Sequence, residues 1–250
     1  MDERTAWQAN QLARQGYATL HLAYFFAPGL PTVAQLIPLE YFGTAIDWLR
    51  SQPGIDADRI AVVGTSYGGM TALLVASHYP DIKAVVAAVP SSVVWPSFSN
   101  PPRSTFTLGG QPLPYLPFGM GGGPRVYHLY DDGLNAIARR DDAVIPVERI
   151  NGPVLLICGK LDSLWPSCRM SNQVVARLSA KKFRHAIELL EFTDGGHAVF
   201  GPPVAADSPA FKLLANTGGD AIANNAARLA SWPKAMAFID AALMAEKLPR

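Results

Sequence analysis

The stretch Arg59-Ile60-Ala61-Val62-Val63-Gly64-Thr65-Ser66-Tyr67-Gly68-Gly69-Met70 decides the fold. Its first half is a short aliphatic, β-branched run of the kind that forms a buried strand. From Met70 onward, with Leu73 and Leu74, apolar side chains recur at helical spacing. Between the two, Gly64-x-Ser66-x-Gly68 makes a tight turn. Glycines on either side of the serine keep Cβ atoms away from the neighbouring strand and helix, which pushes the hydroxyl into solvent at a helix N-terminus. The next backbone N–H, that of Tyr67, can donate to a developing oxyanion. A glycine-rich turn with an incidental serine is the bland alternative, and the strand–turn–helix setting favours a nucleophile.

Working outward, further buried strands are expected at Ala18–Tyr24, Lys83–Val89, Val154–Cys158 and Ala186–Phe192. Segments with apolar residues three to four apart separate them: Trp7-Leu12-Ala13, Tyr41-Ala45-Trp48-Leu49 and Val174-Val175-Leu178. Near-continuous apolar strands alternating with helices predict an α/β protein with a mostly parallel sheet and helices on both faces. No fixed-period repeat competes with this reading. A chain of 250 residues fits one domain over 1–250, with two smaller ones as the alternative. Only the stretch Pro90–Val147 breaks the alternation. Its Pro101-Pro102, Gly109-Gly110, Pro112 to Pro117 and Gly119-Met120-Gly121-Gly122-Gly123-Pro124 predict an irregular excursion over about 91–147, either a flap over a site or a plain surface loop. The glycine run is no phosphate-binding loop, because no Lys-Ser or Lys-Thr follows it.

Composition excludes several classes of function. Charged residues are 16% and apolar residues 49%, so the chain folds around a buried interior. Lys plus Arg (21) nearly cancel Asp plus Glu (20), and a net charge of +1 supplies no field for a nucleic-acid backbone. No apolar run is long enough to cross a bilayer. Met1-Asp2-Glu3-Arg4-Thr5-Ala6-Trp7-Gln8 lacks the basic start and apolar stretch of a secretory signal, so export is not expected. The two cysteines, Cys158 and Cys168, make no disulfide framework and no metal-ligand spacing, and a reducing cytoplasm is the expected location. Cys168, near the start of the helix bearing Val174 and Val175, reads as a small buried hydrophobe, with a reactive thiol as the alternative.

A serine hydroxyl needs a base, and the five histidines are the candidates. His21, His78, His128 and His185 read as packing or surface residues. His197 follows the strand Ala186–Phe192 through Thr193-Asp194-Gly195-Gly196, a loop able to present the imidazole at the strand's carboxyl edge. An acid that fixes its tautomer is expected at Asp162, which follows Val154–Cys158 through Gly159-Lys160-Leu161. Asp194, three residues before His197, is the competitor, but it reads as closing its own turn. Asp131, Asp132, Asp141 and Asp142 read as solvated turn residues.

These residues carry a family resemblance. The elbow Gly64–Gly69, the segment from Ile145 to Ser167 and Gly195-Gly196-His197 resemble the C-terminal catalytic domain of acyl-CoA thioesterases and bile acid-CoA:amino acid N-acyltransferases. Ile37-Pro38-Leu39-Glu40-Tyr41-Phe42, Gln111 to Pro117 and Gly218-Gly219 to Trp232 extend the likeness over most of residues 8–245. The resemblance implies an α/β-hydrolase with Ser66, Asp162 and His197 as triad. The family's amino-acid transferases use a Cys nucleophile, so Ser66 favours water as the acyl acceptor; the more distant dienelactone hydrolases also carry Cys. Two departures stand out. Nothing corresponds to the β-sandwich domain that precedes the hydrolase domain in animal members, and the first three strands of the eight-stranded sheet are missing. The third of those strands normally leads into the second oxyanion donor. Without it, Ala18–Tyr24 would close directly on Ile60–Val63, a neighbouring chain would fill the gap, or the sequence is truncated; truncation is the expectation.

The reading is therefore a serine hydrolase acting on acyl thioesters through an acyl-enzyme. The alternatives are a carboxylesterase on small or medium acyl esters and a weakly active or non-catalytic binding module of the same fold. No cofactor and no metal are called for, and a homo-oligomer is left open. Arg103, Arg125, Arg139 and Arg140 are candidates for CoA phosphates, against a reading as scattered surface arginines.

Overall fold

Four of the expected strands form, and together they build one parallel sheet. The computed structural model describes residues 3–121 and 126–244. In chain order the elements are α1 (Glu3–Arg14), the short strand β1 (Ile37–Pro38), α2 (Leu39–Arg50), β2 (Ile60–Thr65), α3 (Tyr67–His78) and β3 (Ile82–Ala88). The short strands β4 (Phe106–Leu108) and β5 (Gln111–Pro112) follow, then α4 (Tyr127–Leu134), β6 (Val154–Gly159), α5 (Ser167–Ala180), β7 (Ile187–Phe192), α6 (Pro209–Leu213) and α7 (Ala221–Met244).

The main sheet runs β2-β3-β6-β7, all parallel, with Val62 opposite Val85, Val85 opposite Val154, and Leu156 opposite Leu189. Alternation divides the side chains between two cores. Val85, Ala87, Val154 and Leu156 join Met70, Leu73 and Leu74 of α3 and Met170 and Val174 of α5. Ala84, Val86, Ala88, Leu155 and Ile157 join Ala235, Met236 and Ile239 of α7. Both faces being covered is why β3 and β6 read as unbroken apolar runs. Chain and sheet together give the α/β-hydrolase type of architecture.

Three expectations need correction. Ala18–Tyr24 forms no strand. With no neighbour offering a ladder, this segment is held through side chains: Tyr41 donates to Ala23 O at 2.8 Å, and the Tyr24 and Thr71 hydroxyls meet at 3.2 Å. It does not close on β2, whose one strand partner among the described residues is β3. Second, the excursion is not merely a surface loop. Val93, Trp95, Phe106, Leu116, Tyr130 and Leu134 within it are buried. Its β4 pairs with β1, and Leu116 N–H donates to Val94 O at 2.9 Å. Glycines and prolines broke the alternation in the text, but the aromatic and aliphatic residues between them bury like any core. Third, Cys158 and Cys168 are joined in a disulfide, so neither is a free thiol. Folding brings the end of β6 against the first turn of α5, a proximity that a spacing of ten residues did not announce.

Candidate active site

The carboxyl ends of the parallel strands converge on one rim, and the three singled-out side chains stand there on the turns after β2, β6 and β7. Ser66 caps α3 with φ 61° and ψ −124°, a conformation costly for any residue with a side chain. Two local features hold it. Ser66 N–H donates to Ala88 O at 2.9 Å, and Gly64 packs so closely on Gly68 O that a Cβ there would overlap it. Tyr67, Gly68 and Gly69 open α3, where amides have no carbonyl one turn back and remain free to donate to an oxyanion. Val89, just past β3, is a second strained residue, with φ 41°.

Asp162 and His197 form the site's bonded pair. His197 Nδ1 lies 2.7 Å from Asp162 Oδ2, with the two side chains 11% and 2% exposed. The other carboxylate oxygen accepts from Leu164 N–H at 2.9 Å and Trp165 N–H at 3.3 Å. Fully engaged in this way, the carboxylate selects the tautomer with the proton on Nδ1 and leaves Nε2 as the basic nitrogen. Asp194, the competing acid, is exposed on its turn. Among the described residues the Ser66 hydroxyl makes no hydrogen bond, so the structure joins Asp162 to His197 and leaves Ser66 unbonded. Two ring contacts span the interval: Tyr67 stacks on Trp165 at 5.7 Å, and Trp165 meets the His197 ring edge-on at 6.0 Å.

What the sequence reading missed is the support of the His197 loop. Helix α7 turns Asn224, Arg228 and Ser231 toward it, all buried and spaced four and three apart on one face. Asn224 Oδ1 accepts from Gly196 N–H at 2.7 Å, and its Nδ2 donates to Leu214 O and Gly218 O, both at 2.9 Å. Arg228 donates to Pro202 O at 3.0 Å and lies over the Trp7 ring at 5.0 Å; burial pushes its pKa down to about 10. Ser231 donates to Val199 O at 2.8 Å. Three polar residues at helical spacing amid Ala227, Trp232, Ala235 and Met236 were the available signal. His197 N–H itself donates to Thr217 O at 3.1 Å. Gly159, Gly196 and Gly218 let the three loops approach at backbone distance, where any Cβ would collide with a facing carbonyl.

The excursion adds an aromatic layer beside the elbow. Trp165 meets Tyr130 edge-on at 5.2 Å, Tyr130 meets Trp95 at 4.9 Å, and Trp95 stacks on Phe118, which stacks on Phe98. Burial holds the Tyr67 and Tyr130 phenols above the ordinary range, so both stay neutral donors. Phe98 closes the layer half exposed, at 56%. Of the arginines considered for phosphate, Arg140 is engaged with Asp142 at 2.9 Å, Arg103 and Arg139 are exposed, and Arg125 lies outside the described residues.

Sheet order, elbow and rim define the chain as an α/β-hydrolase-type protein. Solved structures agree on that fold: acylaminoacyl peptidase from Pyrococcus horikoshii is similar at a TM-score of 0.52 and 16% identity, over 84% of this chain and 28% of that one. A Mycobacterium tuberculosis puromycin-hydrolyzing peptidase is similar at 0.51 and 17%, over 84% and 26%. Within that class the chain belongs to the BAAT / acyl-CoA thioester hydrolase C-terminal family, whose model matches residues 37–245. Human acyl-coenzyme A thioesterase 1 is 28% identical over 244 residues, covering 93% of this chain and 55% of the relative. Mouse acyl-coenzyme A amino acid N-acyltransferase 1 is 30% identical over 241 residues, with the same coverage. The chain thus spans about half the length of the curated relatives it matches.

Proposed function

We propose that this chain is a serine hydrolase that cleaves acyl thioesters through an acyl-enzyme. The observation that carries the reading is the Asp162–His197 bond, made at the same rim as a strained serine elbow. Ser66 Oγ attacks the thioester carbonyl while His197 Nε2 takes its proton; Asp162 stabilises the imidazolium, and Tyr67 N–H holds the oxyanion. The imidazolium then protonates the departing thiol, and water, deprotonated by the same nitrogen, releases the acid. The Ser66–His197 bond is made with substrate in place, since such contacts often tighten only in the reacting complex. The aromatic layer from Trp165 to Phe98 offers the acyl chain an apolar wall, and relatives named as acyl-coenzyme A thioesterases support a CoA leaving group.

The unbonded serine favours one other reading, a non-catalytic hydrolase fold. A fluorophosphonate probe and p-nitrophenyl butyrate separate the two. Labelling and turnover in the wild type, both lost in Ser66→Ala, are expected; an unlabelled wild type rejects the enzyme. Turnover on acyl-CoA against matched oxyesters then tests the thioester, and an oxyester preference replaces it with a carboxylesterase. A cytoplasmic location is proposed from the sequence; the disulfide weighs against it unless the bridge is of the redox-sensing or catalytic kind, because other bridges are rare in reducing compartments.

A further inference from the structure

The loop carrying Asp162 is held in two halves by different means. Its first half is tied by backbone bonds to neighbouring loops: Lys160 N–H to Phe192 O at 2.9 Å, Leu161 N–H to Gly195 O at 2.8 Å, and Ser163 N–H to Thr217 O at 3.2 Å. The second half, residues 164–167, supplies both N–H donors to Asp162 Oδ1, yet its other backbone bonds are local, Ser167 N–H donating to Trp165 O at 2.8 Å and Met170 N–H of α5 to Pro166 O at 3.0 Å. One bond reaches the end of β3, from the Trp165 indole to Val89 O at 3.1 Å. The first turn of α5 that follows has Pro166 before it and no side-chain cap, and the buried hydroxyls of Ser167 and Ser171 have no partner among the described residues. Arg169 bonds outward to Asp131 and Asn135 near α4, exposed and away from the sheet. Two links therefore fasten this half to the sheet: the Trp165 indole bond at the end of β3, and the covalent Cys158–Cys168 bridge, running from the end of β6 to the first turn of α5 and closing the loop around Asp162.

We infer that Cys158 and Cys168 are positioning residues for the Asp162–His197 pair, and that the bridge makes the activity of this chain redox-sensitive. The inference rests on the reading of that pair under Proposed function. The reductant is a dithiol. Its thiolate attacks the Sγ of Cys168, the partly exposed residue of the two; the S–S bond breaks, and Cys158, fully buried, leaves as a thiolate and takes up a proton. The second thiol of the reductant then displaces Cys168 from the mixed disulfide. The protein gains two electrons and two protons, and the dithiol becomes a cyclic disulfide. With its α5 end freed and the Trp165 indole as its remaining tie to the sheet, the segment 164–167 no longer fixes Oδ1 rigidly, and the carboxylate loses its register with Nδ1.

The test is a redox cycle of the full chain with p-nitrophenyl butyrate as substrate. Dithiothreitol, with thiols counted in parallel, is expected to release two thiols and lower kcat about tenfold or more at unchanged KM. Reoxidation restores the rate, and a Cys158→Ala/Cys168→Ala variant sits at the low value with or without dithiol. Release of two thiols with kcat unchanged overturns the inference, as does a folded chain whose bridge resists dithiothreitol. Should the double variant fail to fold, the wild-type cycle decides alone. If fluorophosphonate labels neither redox state, the enzyme reading has failed, and the clamp is judged by NMR. The downfield His197 Nδ1 proton is expected to broaden on reduction, and an unchanged resonance overturns the clamp.

Discussion

The imidazole and the hydroxyl at this rim sit in opposite kinds of surroundings. Around His197 nearly every polar group is engaged: Nδ1 by Asp162, the backbone N–H by Thr217, the preceding amide by Asn224, and the carbonyls that follow by Arg228 and Ser231. Ser66 has two backbone bonds, none through its hydroxyl among the described residues, and a strained φ, and it follows a strand that among those residues pairs on one side. In the proposed mechanism His197 is thus positioned as base before substrate arrives, while Ser66, the proposed nucleophile, is held by backbone geometry and waits for its partner. The contrast locates rigidity in the loops after β6 and β7 and stored strain in the turn after β2.

Breaking the nucleophile's side has the largest expected effect. Ser66→Ala removes the proposed attacking atom and lowers kcat by about 10⁴-fold or more on p-nitrophenyl butyrate, with the melting temperature unchanged, since alanine keeps a Cβ at the same strained φ. A residual rate within tenfold of wild type assigns the chemistry elsewhere. On the base's side, Asp162→Asn keeps the shape but replaces a charged acceptor, letting the imidazole take the wrong tautomer. It is expected to cost about 10³–10⁴ in kcat while the protein stays folded, checked by turnover beside circular dichroism.

A smaller loss sharpens the comparison. Asn224→Ala strands Gly196 N–H and two carbonyls in a fully buried place, so unfolding free energy in urea is expected to fall by about 1–3 kcal/mol. The rate should drop about tenfold at constant KM, since the loop that aims His197 loses its anchor. Equal effects on kcat and KM reduce Asn224 to a fold residue. The smallest effect lies far from the rim. Arg177 holds the Glu148 carboxyl below its ordinary value of 4.5 through bonds of 2.6 and 2.8 Å. A folded pKa below the unfolded one stabilises above the unfolded value and is lost as pH falls through the folded one. Glu148→Gln should therefore lower the melting temperature slightly at pH 7, and the gap should close in acid; both groups are partly solvated, so the loss stays under about 1 kcal/mol.

Much of the site was legible because each part has a local signature. Gly64 and Gly69 bracket Ser66 because a Cβ there would strike Gly68 O or Ala88 O, whereas a Cβ on Gly68 would meet open space; Gly196 precedes His197 because a Cβ there would strike Gly218 O. The strands β3 and β6 were legible from their apolar runs. The segment Ala18–Tyr24, with Leu20, Leu22 and Tyr24 alternating, reads as a strand but has no ladder to join, and strand propensity is a preference for a pleated, half-buried surface that must exist elsewhere in the chain. The disulfide was illegible, and the stripe Asn224, Arg228, Ser231 showed its spacing but not its target, for a related reason: their partners are remote in the chain, or meet only after β6 and α5 have packed.

The amino-acid order by itself determined the alternation of strand and helix, the elbow, and Asp162 and His197 as the candidate acid and base, because each is signalled by neighbours within about ten residues. Only the tertiary structure decided that the excursion would supply an aromatic wall, that two cysteines would meet beside the acid, and that α7 would anchor the histidine loop. Those outcomes are set by which surfaces are left to bury once the sheet has formed, and no local pattern encodes that choice.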